Sequence, residues 1–266
     1  MLTIAVLGEV EAARDGVRLP LPSGKTTDLL VRLAVRPGTP VRVDTLIEDL
    51  WGETVDRNTL QAKVSQLRRA LGDKDAVVAQ GDAYLLDVTA EQVDASVAAL
   101  HAQEASAAAA ADQHPDVVTA ATAGVALFRS EPLTGQRDWA APFRASLEEI
   151  RWSLLEQLME ARVALGAGGE LVVDLEQLVD EQPLRERLWV ALMTALYRAG
   201  RQADALAAYT RARRHLVEEL GLEPGPQLRE LEARLLAQDA ELAGPTGERD
   251  ACADQPAQTS HAARGS

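Results

Sequence analysis

A single cysteine, Cys252, occurs in 266 residues. It can neither close an internal disulfide nor anchor a zinc site by itself, which fits a reducing compartment and points to the cytoplasm. Aromatic residues make up 3% of the chain, too few for the stacking platforms that hold single strands or RNA. His101, His114, His215 and His261 are scattered rather than clustered, so no metal site is expected. No apolar run approaches the roughly 20 residues that cross a bilayer, and no Gly-x-Ser-x-Gly nucleophile elbow is present. The N-terminal MLTIAVLGEVE has no basic region before its short apolar run and turns acidic at once. It reads as a first strand and not as a secretion signal.

Positive charge is also in deficit. The formal charge is −14, which on its face opposes binding to phosphate. The deficit is uneven, however: residues 1–88 carry 11 basic and 13 acidic side chains, a net of −2, and the remainder carries −12. Within the first part, the window 57–72 holds Arg57, Lys63, Arg68 and Arg69 and no carboxylate. Charges beyond a Debye length of about 10 Å are largely screened at physiological salt, so a local basic face survives global acidity.

The stretch Leu21-Pro22-Ser23-Gly24-Lys25-Thr26-Thr27 superficially matches a phosphate-binding loop. A Walker loop needs a glycine five residues before its Gly-Lys pair, and that position is Leu19. Pro20 and Pro22 would further remove two backbone donors from the cradle. The following TTDLLVRLAVRPG places Leu29, Leu30, Leu33 and Ala34 at helical spacing and stops at Pro37-Gly38. The stretch therefore predicts a helix start capped by Ser23 or a nearby threonine, with Lys25 a candidate for a DNA phosphate.

Residues 2–21 contain short apolar runs and the turn pair Asp15-Gly16, a hairpin signal. Helices are predicted over about 26–35, 44–51 (opened by Asp44) and 57–71, followed by a β-rich stretch at 77–88 around Gly81-Asp82. In the third helix Leu60, Val64, Leu67 and Leu71 form one stripe. Steps of 100° set Asn58, Ala62, Ser65 and Arg69 opposite it, with Gln61, Gln66 and Arg68 on the flanks and Lys63 nearer the buried edge. Arg, Asn and Gln can pair bidentately with base edges, Ala can meet a thymine methyl, and Ser can bond phosphate or base. By itself the helix is equally compatible with an ordinary solvated face.

From about residue 94 the chain becomes rich in Ala, Glu and Leu. Leu155, Leu158, Met159, Gly166, Leu171, Leu175 and Leu178 repeat at a spacing of 34 as Trp189, Leu192, Met193, Gly200, Ala205, Tyr209 and Ala212. That is the tetratricopeptide pattern of paired helices. The second unit runs on through RRHLVEELG, and an earlier degenerate unit is expected over 105–111 and 117–128. Trp51, Trp189 and Tyr209 fall on apolar stripes and read as core. Arg198 and Arg201 read as a solvated face more readily than as a partner's contact. The last residues, 243–266, lack periodicity and read as disordered.

Four stretches carry a family resemblance: LIEDLWGE at 46–53, TLQAKVSQLRRALG at 59–72, FRSEPL at 128–133 and the long block at 183–236. On these the chain resembles a Streptomyces antibiotic regulatory protein, a SARP, from residue 1 to about 242. The resemblance implies a mainly α protein with a small β component: an OmpR-type winged helix-turn-helix over 1–93, then an all-α, tetratricopeptide-like bacterial transcriptional activator domain over 94–242. It implies that the helix at 57–71 enters the major groove and that the hairpin near 81–84, with Tyr84, forms a wing. It further implies two protomers on promoter direct repeats that contact RNA polymerase and its sigma factor to activate a secondary-metabolite gene cluster, with no cofactor. Where the family's wing commonly has Gly-x-Gly-Tyr, this chain has Gly81-Asp82-Ala83-Tyr84; Gln66 stands where Arg is frequent, and Lys63 where the family has a bulkier apolar residue.

The reading is therefore a sequence-specific activator without catalytic activity. Asn58, Gln61, Ser65 and Arg69 are expected toward bases or adjacent phosphates, and Arg57 and Arg68 toward the backbone. Two alternatives stay open: a helical-repeat adaptor whose winged helix binds protein, and a nucleotide hydrolase using Lys25.

Overall fold

The computed structural model describes residues 1–53 and 55–243. The expected tail beyond Ala243, with Cys252, lies outside the described residues. The chain divides into two compact units, one from Met1 to Leu165 and one from Gly166 onward.

The first unit opens with antiparallel strands β1 (Leu2–Ala5), β2 (Glu11–Arg14) and β3 (Val17–Arg18). Alternation along β1 buries Leu2 and Ile4 and leaves Thr3 outside, as the two-residue period of a strand requires. Arg14 pairs with Val17 across the turn Asp15–Gly16, whose φ angles of 50° and 81° are the left-handed pair that a tight hairpin turn demands.

Helices α1 (Lys25–Ala34), α2 (Val43–Trp51) and α3 (Arg57–Ala70) follow. The start of α1 corrects an expectation. Gly24, and not Ser23 or a threonine, is the N-cap, with φ 72° and no side-chain cap. Glycine takes that conformation without steric cost. The threonine hydroxyls are committed elsewhere: Thr27 donates to the Pro22 carbonyl and buried Thr26 to Gln66 Oε1 at 2.8 Å. A strand absent from the sequence reading, β4 (Val41–Arg42), precedes α2; two residues are too few to show alternation. It joins β5 (Val77–Ala79) and β6 (Ala83–Leu86) in a second sheet of order β4-β6-β5. Reciprocal bonds between Gln80 and Ala83 close the Gly81–Asp82 turn.

The core of this unit continues past the second sheet. Helices α4 (Asp94–Ala110), α5 (His114–Val125) and α6 (Ala141–Ala164) complete it, and Ala95, Ala98, Leu133 and Leu147 join the same apolar cluster as Leu30, Leu46 and Leu67. The helix expected to reach 128 ends at Val125, because the chain turns back and Arg129 donates its amide to the Leu7 carbonyl at 3.0 Å. Arg32 of α1 bonds Asp49 of α2 at 2.6 Å and stacks 5.3 Å and 5.6 Å from the Trp139 and Phe143 rings. Asp94 accepts the amides of Val6 and Leu7 at 2.8 and 3.1 Å and Arg129 Nη2 at 3.2 Å. Burial pushes this carboxyl above its ordinary range, and those donors oppose the shift.

Asp94→Ala strands two amides under the first sheet. Each unsatisfied donor costs about 1–3 kcal/mol, so the variant is expected to lose about 2–6 kcal/mol in chemical denaturation of the full chain. A loss below about 1 kcal/mol contradicts the tether.

The second unit holds α7 (Val172–Glu181), α8 (Glu186–Arg198), α9 (Gln202–Leu220) and α10 (Pro226–Leu236). The 34-residue spacing has a structural basis: Gly166 and Gly200 follow helix ends at φ 100° and 75°, and Leu171, Leu175, Trp189, Leu192, Ala205 and Ala212 are buried. Helix α9 runs on to Gly221, which caps it at φ 68°. Arg201 pairs with Asp204 at 2.6 Å, and Arg198 Nε donates to the Leu242 carbonyl at 3.2 Å.

Candidate nucleic-acid interface

Two sides of α3 have opposite tasks. Leu60, Val64, Leu67 and Leu71 are at most 1% exposed and hold the helix on the core. Asp56 caps it, its side chain accepting from the Asn58 amide at 2.7 Å. Opposite the apolar stripe, Asn58, Gln61, Ala62, Ser65 and Arg69 are all exposed, as is Arg57 at the helix start. With a rise of about 1.5 Å per residue, Asn58 to Arg69 extends about 16 Å, close to five base-pair steps of about 3.4 Å.

The cations of this region are placed less uniformly than the sequence suggests. Arg69 Nε donates to the Ser65 carbonyl one turn back at 3.3 Å and stays on the exposed face. Arg68 is half-buried and donates through Nε and Nη2 to the Val77 carbonyl at 2.9 and 2.6 Å, which pins α3 to the second sheet. Arg57 donates through Nη1 and Nη2 to the Asp82 carboxylate at 2.6 and 3.2 Å, and through Nη2 to Asp44 at 3.1 Å. Asp82 first and Asp44 second raise the guanidinium pKa. Lys25 pairs with Asp28 at 3.1 Å at the start of α1; its neighbour Thr26 bonds Gln66, so that end of α1 lies against the flank of α3. Tyr84 is half-buried in β6, opposite Val41 and Ala79, and packs on the core.

Asn58, Gln61, Ser65 and Arg69 are thus gathered on one free face, with Arg57 beside it but ion-paired. Arg68 and Tyr84 do packing work, and Lys25 sits on a neighbouring helix. Three features escaped the sequence reading. Gln66 locks α1 to α3, taking Lys63 Nζ at 3.4 Å as a second donor. Asp44 and Asp82 converge on Arg57 from α2 and the β5–β6 turn. Arg42, exposed in β4, stands across from Ala83 and adds a cation beside that turn. Only the last had a sequence signal, a basic residue next to Pro40-Val41.

Charge along α3 follows the helix dipole. Asp56 sits at its start with Asp44 and Asp82 nearby, and Arg68 and Arg69 occupy its last turn. Carboxylates at an N-terminus and cations at a C-terminus stabilise a helix, and the same order makes the start of α3 unfavourable for an anion. Among the described residues no helix is long and apolar enough to cross a membrane, and no cluster of three or more His, Cys, Asp or Glu side chains could hold a metal.

Comparison with known proteins adds the following. The bacterial transcriptional activator domain family matches residues 93–236, and the family described as the C-terminal part of transcriptional regulatory proteins matches residues 19–82. The regulatory protein AfsR of Streptomyces griseus is 37% identical over 93% of this chain and 26% of its own length; the chain thus spans about a quarter of that relative. The transcriptional regulator RedD of Streptomyces coelicolor is 33% identical over 91% of this chain and 73% of its own. Among solved structures, Mycobacterium tuberculosis EmbR in complex with a low-affinity phosphopeptide superposes with a TM-score of 0.83 at 32% identity, over 89% of this chain and 65% of EmbR.

Proposed function

The chain belongs to the SARP family of transcriptional regulators, and from that premise we propose that it is a sequence-specific activator that binds double-stranded DNA through the exposed face of α3. Its DNA-binding domain spans 1–93 and its activator domain 94–242. Two protomers occupy direct repeats at a promoter in the cytoplasm and recruit RNA polymerase with its sigma factor to a secondary-metabolite cluster. The protein does no catalysis in this role. The observation that carries the reading is the carboxylate-free face of α3, where Asn58, Gln61, Ser65 and Arg69 are exposed while four aliphatic side chains anchor the opposite side.

Asn58, Gln61, Ser65 and Arg69 face base edges or adjacent phosphates. Arg57 and Arg68 reach the backbone only on leaving the partners they hold here, and Lys25 reaches it only on leaving Asp28. Tyr84 supports the wing from within the sheet.

A gel shift with the upstream regions of neighbouring genes, at stated salt, separates this reading from a protein-binding adaptor. Specific retardation is expected, and weak, sequence-blind retention refutes it. In the same assay Arg69→Ala is expected to cost about 1–3 kcal/mol on the cognate site and to relax preference at one base pair. Unchanged affinity with unchanged base preference removes Arg69 from the contact set.

A further inference from the structure

The carboxylates of Asp82 and Asp44 do more than crowd the start of α3. Asp82 lies in a two-residue turn closed by reciprocal Gln80–Ala83 bonds, and its own carbonyl accepts the Val43 amide at 3.0 Å. The turn is therefore tied to the first residue of α2, and the Asp82 carboxylate is presented to Arg57 in a two-pronged, charge-assisted pair whose two side chains are about half exposed. Asp44, one residue further along α2, takes Arg57 from another side. One guanidinium thus faces two carboxylates, drawn from α2 and from the wing, at the helix end where a phosphate would approach.

We propose that Asp82 and Asp44 form an electrostatic clamp that withholds Arg57 from the phosphates of random-sequence DNA. On random duplex the clamp stays closed and the protein binds with one cation fewer. On a cognate site, close seating of α3 brings a phosphate near enough to compete, and Arg57 exchanges its carboxylates for it. The clamp thus lowers affinity on both duplexes, by the forgone phosphate contact on random sequence and by its opening cost on the cognate site, and makes the number of phosphates neutralised depend on sequence. This inference rests on the DNA-binding reading above.

The test is the full-length double variant Asp44→Asn/Asp82→Asn, which keeps side-chain shape and the turn. Each neutralised phosphate contributes about −0.9 to the slope of log K against log salt. On random-sequence duplex the variant is expected to bind about 3–10-fold more tightly near 50 mM salt than the native chain, with a slope steeper by about 0.9. On the cognate site the slope is expected to stay unchanged, because Arg57 already meets a phosphate there, and the affinity gain, which is the cost of opening the clamp, is expected to be at least as large as on random duplex. Adding Arg57→Ala to the double variant is expected to remove the added slope. An unchanged slope of the double variant on random duplex overturns the clamp while leaving specific binding intact. Persistence of the full gain without Arg57 also overturns it, because removal of negative charge alone then suffices. Native protein that retains no duplex overturns the DNA-binding reading and this inference together.

Discussion

Replacing Asn58, Ser65 and Arg69 together by alanine is expected to abolish sequence preference while leaving the fold intact. A good base contact is worth about 1–3 kcal/mol of discrimination. Three lost together weaken cognate binding by at least about 100-fold, since about 1.4 kcal/mol corresponds to tenfold. Stability is expected to change by less than about 1.5 kcal/mol: all three side chains are exposed, and exposed substitutions are usually within about 0.5 kcal/mol each. Alanine is also the best helix former, and the Asp56 cap uses the Asn58 backbone amide, which the variant keeps. Titration of cognate and random duplexes, with a melting curve on the same sample, gives both numbers. Cognate affinity within about 3-fold of the native chain contradicts the assignment of this face to base recognition.

Trp189→Ala is expected to unfold the second unit near physiological temperature. The ring is fully buried, its Nε1 donates to the Pro183 carbonyl at 2.8 Å, Arg211 stacks 5.1 Å above it and His215 lies 6.2 Å away in a stacked arrangement. Truncating a buried tryptophan to alanine costs about 3–5 kcal/mol. A domain of this size loses about 4–8 °C per kcal/mol, so its transition is expected to fall by more than about 10 °C. Trp189→Phe keeps the stacked ring but drops the Pro183 bond and is expected to cost roughly half as much. In the reading proposed here, Trp189→Ala retains specific operator binding at low temperature and loses promoter activation in a reconstituted transcription assay. Full activation with the second unit melted contradicts a role for that unit in activation.

Much of this architecture can be read without coordinates because it is local. The spacing of Leu60, Val64, Leu67 and Leu71 places a helix and its buried side within one residue of where α3 lies. Asp15-Gly16 and Gly81-Asp82 are recognisable turns because the backbone conformation at those sites suits few residue types. The 34-residue recurrence around Gly166 and Gly200 is visible because apolar residues and a turn glycine return at the same offsets. Each of these signals falls within a window of one or two elements.

What was illegible is non-local. Thr26 and Gln66 are 40 residues apart, Arg57 and Asp82 are 25 apart, and Val6 and Asp94 are 88 apart; nothing in either partner's neighbourhood announces the other. Arg68 has the same basic character in sequence as Arg69, and the two differ only because a turn of 100° carries one toward the Val77 carbonyl and the other to the solvent side. A two-residue strand such as β4 has no period of its own and exists because β6 offers it hydrogen bonds. The sequence alone determined which face of α3 is polar, that two turns close tightly and that the later helices come in repeats, since local sterics and apolar periodicity act over a few residues. Only the tertiary structure decided which cations on that face are free and which are spent, because an ion pair or a carbonyl contact depends on what distant segments bring within about 3 Å.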